Sequence, residues 1–186
     1  MGIRMNKMNL PNKITIARAC MIPVFLIFFL VPGITGGKYI AGIIFIVASL
    51  SDALDGYLAR KNNLVTNFGK FADPLADKLL VSAALICFVE LGLVPAWIII
   101  VIISREFIIS GFRLVASDNG VVIAASYIAK FKTTAQMIMA VLLIFHFDNP
   151  IFHVLEQIFI YLSLVLTVIS LIDYMIKNKN VLSDKK

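Results

Sequence analysis

Long runs of apolar residues alternate with short polar breaks along almost the whole chain. The runs lack the strict apolar–polar alternation of a strand, and each is long enough for a helix across the ~30 Å hydrocarbon core of a bilayer. The breaks contain the Pro, Gly, Asn and Asp residues that commonly end helices. The pattern predicts six transmembrane helices, at residues 14–31, 39–59, 73–91, 94–115, 129–147 and 151–174.

Composition agrees with this pattern. Of the 186 residues, 60% are hydrophobic and 15% are charged, whereas soluble domains carry about 25% charged residues. A water-soluble core of this size cannot bury so much apolar surface, which excludes a soluble enzyme, a disordered chain and a disulfide-rich secreted module. We therefore predict an all-α integral membrane protein, a six-helix bundle that forms a single membrane domain over residues 1–186. Cys20 and Cys87 are expected to be free thiols.

The basic residues predict an orientation in the membrane. Of the 17 lysines and arginines, all but Lys38 fall on one side of the six-helix arrangement. Basic residues collect on the cytosolic side of membrane proteins, so both termini are predicted to be cytosolic. The net charge of +6 comes with no nucleic-acid-binding motif. We expect no nucleic-acid partner, and instead expect contact with the lipid bilayer.

Four aspartates lie in the predicted cytosolic halves of helices 2 and 3. Asp52 and Asp55 are spaced i, i+3, and Asp73 and Asp77 are spaced i, i+4, so each pair shares one helix face. Four neighbouring carboxylates repel one another unless cations neutralise them. Oxygen ligands suit hard ions such as Mg²⁺, Mn²⁺ or Ca²⁺. Two divalent ions would balance the four charges, an arrangement that is used in phosphoryl transfer.

Other interpretations of these acids stay open. They can form structural pairs with basic side chains, or a proton or ion path in a transporter. Asp73 can cap helix 3, because a proline follows it. A transporter also needs polar groups in the outer leaflet, where helices 2–5 carry only Glu90. A prenyl transferase with Asp-rich metal sites is a further alternative, although such an enzyme would need more helices.

The aspartates belong to a longer pattern, which reads Asp52-x-x-Asp55-Gly56-x-x-Ala59-Arg60, then eight residues, then Gly69-x-x-x-Asp73-x-x-x-Asp77. This pattern resembles the full signature of the CDP-alcohol phosphotransferases, a family built on six membrane helices. The resemblance implies that the four aspartates bind two divalent cations, Mg²⁺ or Mn²⁺, and that Asp77 also takes a proton from the acceptor alcohol. It further implies that a CDP-linked lipid lies against the remaining four signature residues. A homodimer in the plasma membrane, with its active site on the cytosolic side, is also implied.

Three shorter stretches resemble the branch of the family that makes phosphatidylglycerol phosphate. They are NKITIAR at residues 12–18, SREF with GFR at 104–107 and 111–113, and KFKT at 130–133. This resemblance implies transfer of the phosphatidyl group from CDP-diacylglycerol to sn-glycerol 3-phosphate, with release of CMP. Implied contacts with the CDP-lipid are Asn12, Thr15 and Arg18, and implied contacts with the acceptor phosphate are Arg105, Arg113, Lys130 and Lys132. An inositol phosphate acceptor would also need cations, whereas a serine acceptor would not.

The basic residues also have a simpler interpretation. Lys130, Lys132 and Arg113 can anchor the protein near anionic lipid, and the residues of helix 1 can cap that helix or reach the interface. Arg105 and Glu106 can pair, although adjacent helical positions do not face each other.

Polar residues near the ends of helices 5 and 6 are interpreted structurally. His146 and His153 flank the predicted outer turn and are interpreted as interface residues. Glu156 is expected to face another helix or a subunit. Asp173 is expected to pair with Lys177 at i+4.

Overall fold

The computed structural model describes the backbone of residues 10–62, 67–118, 123 and 126–178, and the side chains of residues 17, 19–51, 78–116, 123 and 126–178. Over these residues the structure is all-helical and contains no strand, as predicted. Its six helices are α1 (Leu10–Leu30), α2 (Gly37–Asn62), α3 (Asn67–Glu90), α4 (Ala96–Asp118), α5 (Tyr127–Phe145) and α6 (Pro150–Lys177). Neither Cys20 nor Cys87 forms a disulfide bond.

Several helices extend beyond the apolar runs that predicted them. The second helix continues to Asn62 and the third already begins at Asn67. Asp73 therefore lies inside α3, and the interpretation of Asp73 as the cap of this helix is wrong. The reason is that hydropathy locates only the apolar part of a helix, whereas polar residues with adequate helix propensity continue the backbone helix beyond it.

The chain divides into two compact units, Met1–Cys87 and Phe88–Lys186. In the first unit α1 packs against α2. The ring of Phe25 lies 5.3 Å from that of Phe29 and 6.2 Å from that of Phe45, measured between centroids. Gly37 opens α2 beside the carbonyl oxygen of Phe28, and a Cβ at this position would collide with that oxygen. The small residue therefore lets the two helices approach closely.

A glycine ends α3 at the start of the second unit. Gly92 has a φ of 70°, a left-handed conformation that residues with a Cβ rarely adopt. The Gly92 N–H donates to the carbonyl oxygen of Val89 at 3.0 Å, and the Leu93 N–H donates to that of Phe88 at 2.8 Å. This pair of bonds is the Schellman motif, which satisfies carbonyls at the helix end.

In the second unit α4 and α5 both pack against α6. Ser126 caps α5 by accepting a hydrogen bond from the Ala129 N–H at 3.3 Å. The Asn149 Oδ1 caps α6 by accepting from the Ile151 N–H at 2.9 Å, and Pro150 occupies the first turn, where it is tolerated best. Buried apolar side chains of this unit include Ile98, Ile102, Met139, Leu143 and Ile160.

The last helix has its polar residues inside and its apolar residues outside. Its buried face carries Ser163, Thr167 and Ser170, each 0% exposed, whereas Val165 and Ile169 are about half exposed. A helix in water shows the opposite arrangement, so the exposed face is suited to lipid. Of the described helices, α5 and α6 are long and apolar enough to cross a membrane.

Candidate functional site

The structure places the four predicted metal-binding aspartates on two helices of the first unit. Asp52 and Asp55 lie in α2, and Asp73 and Asp77 lie in α3. At about 3.6 residues per turn, the Cα atoms of each pair are on one side of their helix. All four positions are helical. Their carboxylates form an all-oxygen donor set, which fits hard divalent cations. The side chains lie outside the described part of the structure, and their role stays a prediction.

The residues predicted to contact the CDP-lipid also belong to the first unit. Their backbone lies on the first three helices: Asn12, Thr15 and Arg18 on α1, Gly56, Ala59 and Arg60 on α2, and Gly69 on α3. Gly56 is one helical turn beyond Asp52. The side-chain contacts of all seven lie outside the described residues, so their assignment rests on the sequence pattern.

The second unit contains a buried cluster of charged and polar side chains centred on Glu106. Arg105 Nη1 donates to Glu106 Oε1 at 3.0 Å, and Lys132 Nζ donates to the same oxygen. Arg105 Nε donates to Ser170 Oγ at 3.1 Å, and the Ser170 hydroxyl donates to the Thr167 carbonyl at 3.0 Å. We call Arg105, Glu106, Lys132 and Ser170 the Glu106 cluster. It joins three helices, α4, α5 and α6.

The structure confirms the pairing of Arg105 with Glu106 that the sequence analysis left open. The Cα–Cβ bonds of neighbouring helical residues diverge, so the contact depends on the length of the two side chains. The long side chains bend so that their charged ends meet at 3.0 Å. Burial favours this conformation, since a charge removed from water requires an opposite charge or hydrogen bonds.

The Glu106 cluster contains two cations beside one carboxylate. The Arg105 and Lys132 side chains are only 7% and 2% exposed, and they share one carboxylate that is 21% exposed. Guanidinium and ammonium donors held together in a protected environment are the groups that bind phosphate in proteins. The cluster thus contains two donors of these kinds, and one carboxylate positions both of them.

Two other residues predicted to bind the acceptor phosphate are exposed instead. The Arg113 guanidinium lies 5.9 Å from the centroid of the Tyr174 ring, and the Lys130 ammonium lies 5.3 Å from that of Tyr127. These cation–π contacts position both side chains at the surface. Neither residue joins the hydrogen bonds of the Glu106 cluster within the described part of the chain. Of the four basic residues, the structure brings together Arg105 and Lys132.

Glu106 and Ser170 are the members of this cluster that the sequence did not single out as site residues. A signal for Glu106 exists, because it is the one acid among the charged residues of predicted helix 4. Ser170 carries no such signal, since a serine in an apolar helix commonly bonds only to its own backbone. Its contact with Arg105 joins positions 65 residues apart.

Comparison with known proteins adds a family match. The sequence profile of the CDP-alcohol phosphatidyltransferases matches residues 8–169. This range includes every residue that the sequence pattern assigned to metal, CDP-lipid or acceptor phosphate.

Individual relatives match over most of their length. A Bacillus subtilis protein named CDP-diacylglycerol–glycerol-3-phosphate 3-phosphatidyltransferase is 49% identical over 185 residues, covering 91% of this chain and 95% of its own. A Haemophilus influenzae protein of the same name is 41% identical, covering 96% of this chain and 97% of its own. A Mycobacterium tuberculosis protein named probable phosphatidylglycerophosphate synthase is 37% identical, covering 89% of this chain and 79% of its own.

Proposed function

The chain belongs to the CDP-alcohol phosphatidyltransferase family, and from this premise we propose that it transfers the phosphatidyl group of CDP-diacylglycerol to sn-glycerol 3-phosphate. The products are phosphatidylglycerol phosphate and CMP. The observation that carries this proposal is the 49% identity to the Bacillus subtilis transferase across 91% of the chain. The names of the relatives specify both the donor and the acceptor, which favours glycerol 3-phosphate over serine or an inositol phosphate.

In this reaction the acceptor hydroxyl oxygen attacks the phosphorus atom that carries the diacylglycerol. Asp77 accepts the hydroxyl proton as the general base. A P–O bond forms to the acceptor while the P–O bond to the phosphate of CMP breaks, and CMP leaves with that electron pair. Arg60 would contact a substrate phosphate, and the small residues Gly56 and Gly69 would leave room for the nucleotide beside the backbone.

The four aspartates would hold two divalent cations, Mg²⁺ or Mn²⁺. Members of the family generally use divalent ions, and carboxylates on two helices supply the oxygen ligands that such ions prefer. Bound ions supply electrostatic stabilisation of the charge that develops on the phosphate oxygens. Asp77 would then serve both as a ligand and as the proton acceptor.

The Glu106 cluster supports a phosphate-carrying acceptor. Arg105 and Lys132 are buried donors that Glu106 holds at one point. A dianionic phosphate bound beside them would meet donors whose side chains are already ordered, which lowers the entropic cost of binding. Arg113 and Lys130 would act from the surface, where they attract the anionic acceptor and anionic lipid.

We place the protein in the plasma membrane, with six crossings, both termini in the cytosol and the aspartates on the cytosolic side. The one-sided distribution of lysine and arginine supports this orientation. The apolar exposed face of α6 supports contact with lipid. Assembly as a homodimer, with residues 1–186 as a single membrane domain, completes the proposal.

A single assay tests the reaction and the acceptor. Purified protein receives CDP-diacylglycerol, Mg²⁺ and one of four acceptors: glycerol 3-phosphate, serine, inositol or inositol phosphate. Mass spectrometry of the lipid product should show phosphatidylglycerol phosphate with the first acceptor alone, together with equimolar CMP. EDTA should stop the reaction, and added Mg²⁺ or Mn²⁺ should restore it.

The possible negative results have different meanings. Phosphatidylserine or phosphatidylinositol phosphate as the product would contradict the acceptor but keep the family chemistry. Undiminished turnover in EDTA would contradict the role given to the four aspartates. Movement of ions or protons across vesicles without lipid product would instead support a transporter.

A further inference from the structure

The turn between α5 and α6 brings together both histidines of the chain and a buried glutamate. The chain has two histidines in all. His146 Nδ1 lies 3.0 and 3.1 Å from the two carboxylate oxygens of Glu156, and His153 Nδ1 lies 3.5 Å from Oε2. The two imidazole rings are 5.0 Å apart between centroids. The interpretation of these histidines as separate interface residues did not anticipate this convergence.

The backbone places each of the three side chains. His146 ends α5 in the left-handed conformation, with a φ of 34°, at a position where glycine is preferred. The other positive-φ residues of the described chain are glycines. Unlike glycine, a histidine at this position has a side chain, and that side chain reaches Glu156 on α6. His153 and Glu156 are spaced i, i+3 on α6 and therefore share one face.

Burial and exposure in this group suit an ion that enters from solvent. The Glu156 side chain is 5% exposed, whereas His146 and His153 are 37% and 46% exposed. A buried carboxylate requires a compensating cation, and the exposed imidazoles leave a route to it. Two ligand atoms about 2.1 Å from a tetrahedral Zn²⁺ are about 3.4 Å apart. The measured separations of 3.0 to 3.5 Å between imidazole nitrogen and carboxylate oxygen agree with this spacing.

We propose that His146, His153 and Glu156 form a binding site for one divalent transition-metal ion, with Zn²⁺ as the preferred ion. One ligand atom from each residue lies within 4.8 Å of the others. Two imidazoles and a carboxylate suit zinc, whereas Mg²⁺ favours oxygen ligands alone. Three protein ligands leave a fourth position for water.

This site is separate from the Glu106 cluster. Roughly 20 Å of helix separate Lys132 from His146 along α5, at about 1.5 Å per residue. The ion would join the end of α5 to the first turns of α6 and so hold the turn in one conformation. Because a ligand that binds only the folded state stabilises it, Zn²⁺ should raise the melting temperature of the protein.

The test is a Zn²⁺ titration of the full-length protein labelled with ¹⁵N at histidine, in detergent micelles with excess Mg²⁺ and without substrate. The excess Mg²⁺ occupies the oxygen-only aspartate site, and two histidines give a spectrum that can be assigned. Both imidazole signals should shift until one equivalent of Zn²⁺ has been added. Failure of either signal to shift, or saturation without a defined stoichiometry, would overturn the proposal.

Variants identify the ligands. His153→Ala, Glu156→Gln and His146→Asn should each weaken Zn²⁺ binding by at least about 10-fold. Mutation of a residue that only supports a metal ligand already weakens metal binding by about 10- to 100-fold. The His146→Asn variant keeps a residue that tolerates the left-handed conformation. His153 is exposed, so the His153→Ala variant tests the site even if Glu156→Gln fails to fold.

Two control variants should leave Zn²⁺ binding unchanged. Asp148→Asn removes an exposed carboxylate from the same turn, and Asp77→Asn removes a predicted catalytic ligand. Equal binding by the wild type and the three ligand variants, or loss of binding in either control, would place the ion elsewhere and refute the site. Because none of these binding measurements requires catalytic turnover, their outcomes do not depend on whether the proposed reaction is correct.

Discussion

One carboxylate, that of Glu106, holds two buried cations that come from different helices. Lys132 has a side-chain exposure of 2%, and an unpaired buried charge costs several kcal/mol. Glu106 offsets that cost and also fixes where the ammonium lies. A positioned cation of this kind binds an anionic group with less loss of side-chain entropy than a mobile surface lysine.

Replacing Lys132 tests whether the Glu106 cluster receives the acceptor phosphate. A charge-assisted hydrogen bond contributes about 1.5–3 kcal/mol, so Lys132→Met should lower kcat/KM for glycerol 3-phosphate by about 10- to 150-fold. KM for CDP-diacylglycerol should change little. Lys130→Met should cause a smaller loss because that side chain is exposed, and Lys38→Met serves as the unaffected control. An unchanged KM for glycerol 3-phosphate in Lys132→Met would rule out this role.

Asp77 is the residue on which the proposed chemistry depends most. Asp77→Asn keeps the size of the side chain. It removes the capacity to accept a proton and also the negative charge of one metal ligand. General base catalysis typically contributes about 10²- to 10⁴-fold, so kcat should fall by at least about 100-fold. The matched control is Asp148→Asn, the same change at an exposed turn. Comparable turnover by Asp77→Asn and the wild type, measured as CMP release, would exclude the assigned role.

At the scale of the element, α6 shows how a membrane helix distributes its side chains. Its buried face carries Glu156, Ser163, Thr167 and Ser170, of which Glu156 and Ser170 make side-chain hydrogen bonds, and its outer face is largely apolar. The expected ion pair at its end forms, with Lys177 Nζ 2.7 Å from Asp173 Oδ1. The serines and the threonine in the middle of the helix therefore lie inside the protein, whereas the ion pair lies near its end, where water is accessible.

A lysine on the outer face of α6 tests its contact with lipid. Val165 is 52% exposed near the middle of the helix, where a charge opposes insertion by about 2.5–3.5 kcal/mol. Val165→Lys should lower the fraction of protein that resists alkaline extraction from membranes. Ile176→Lys should be tolerated, because a long side chain near a helix end reaches the interface. If Val165→Lys were tolerated as well, the face would not be buried in lipid.

At the scale of the whole molecule, the distribution of basic residues predicts which loops face the cytosol. In a Cys20→Ser, Cys87→Ala background, Asp148→Cys should react with a membrane-impermeant maleimide in intact cells. Lys186→Cys should react only after permeabilisation, since the C-terminus is predicted to be cytosolic. Labelling of both positions in intact cells, or of neither, would contradict six crossings with cytosolic termini.

Local patterns in the sequence already contain most of the fold and part of the site. Helices form where apolar residues run for about 20 positions, so all six could be located, although their polar ends were missed at Asn62 and Asn67. The spacing from Asp52 to Asp77 is likewise local and sufficed to identify the family. Such features are readable because helix formation and a linear motif depend on residues that are close in the chain.

By itself the sequence determined the helical class, the apolar character and the family, because each rests on composition or short-range spacing. Only the tertiary structure decided which polar side chains meet. Lys132 and Glu106 are 26 positions apart, and His146 and Glu156 are 10 apart across a turn. Whether such residues touch depends on how each helix is rotated and how deeply it packs. No local pattern specifies that geometry, because many packings bury the same apolar residues while pairing different polar ones.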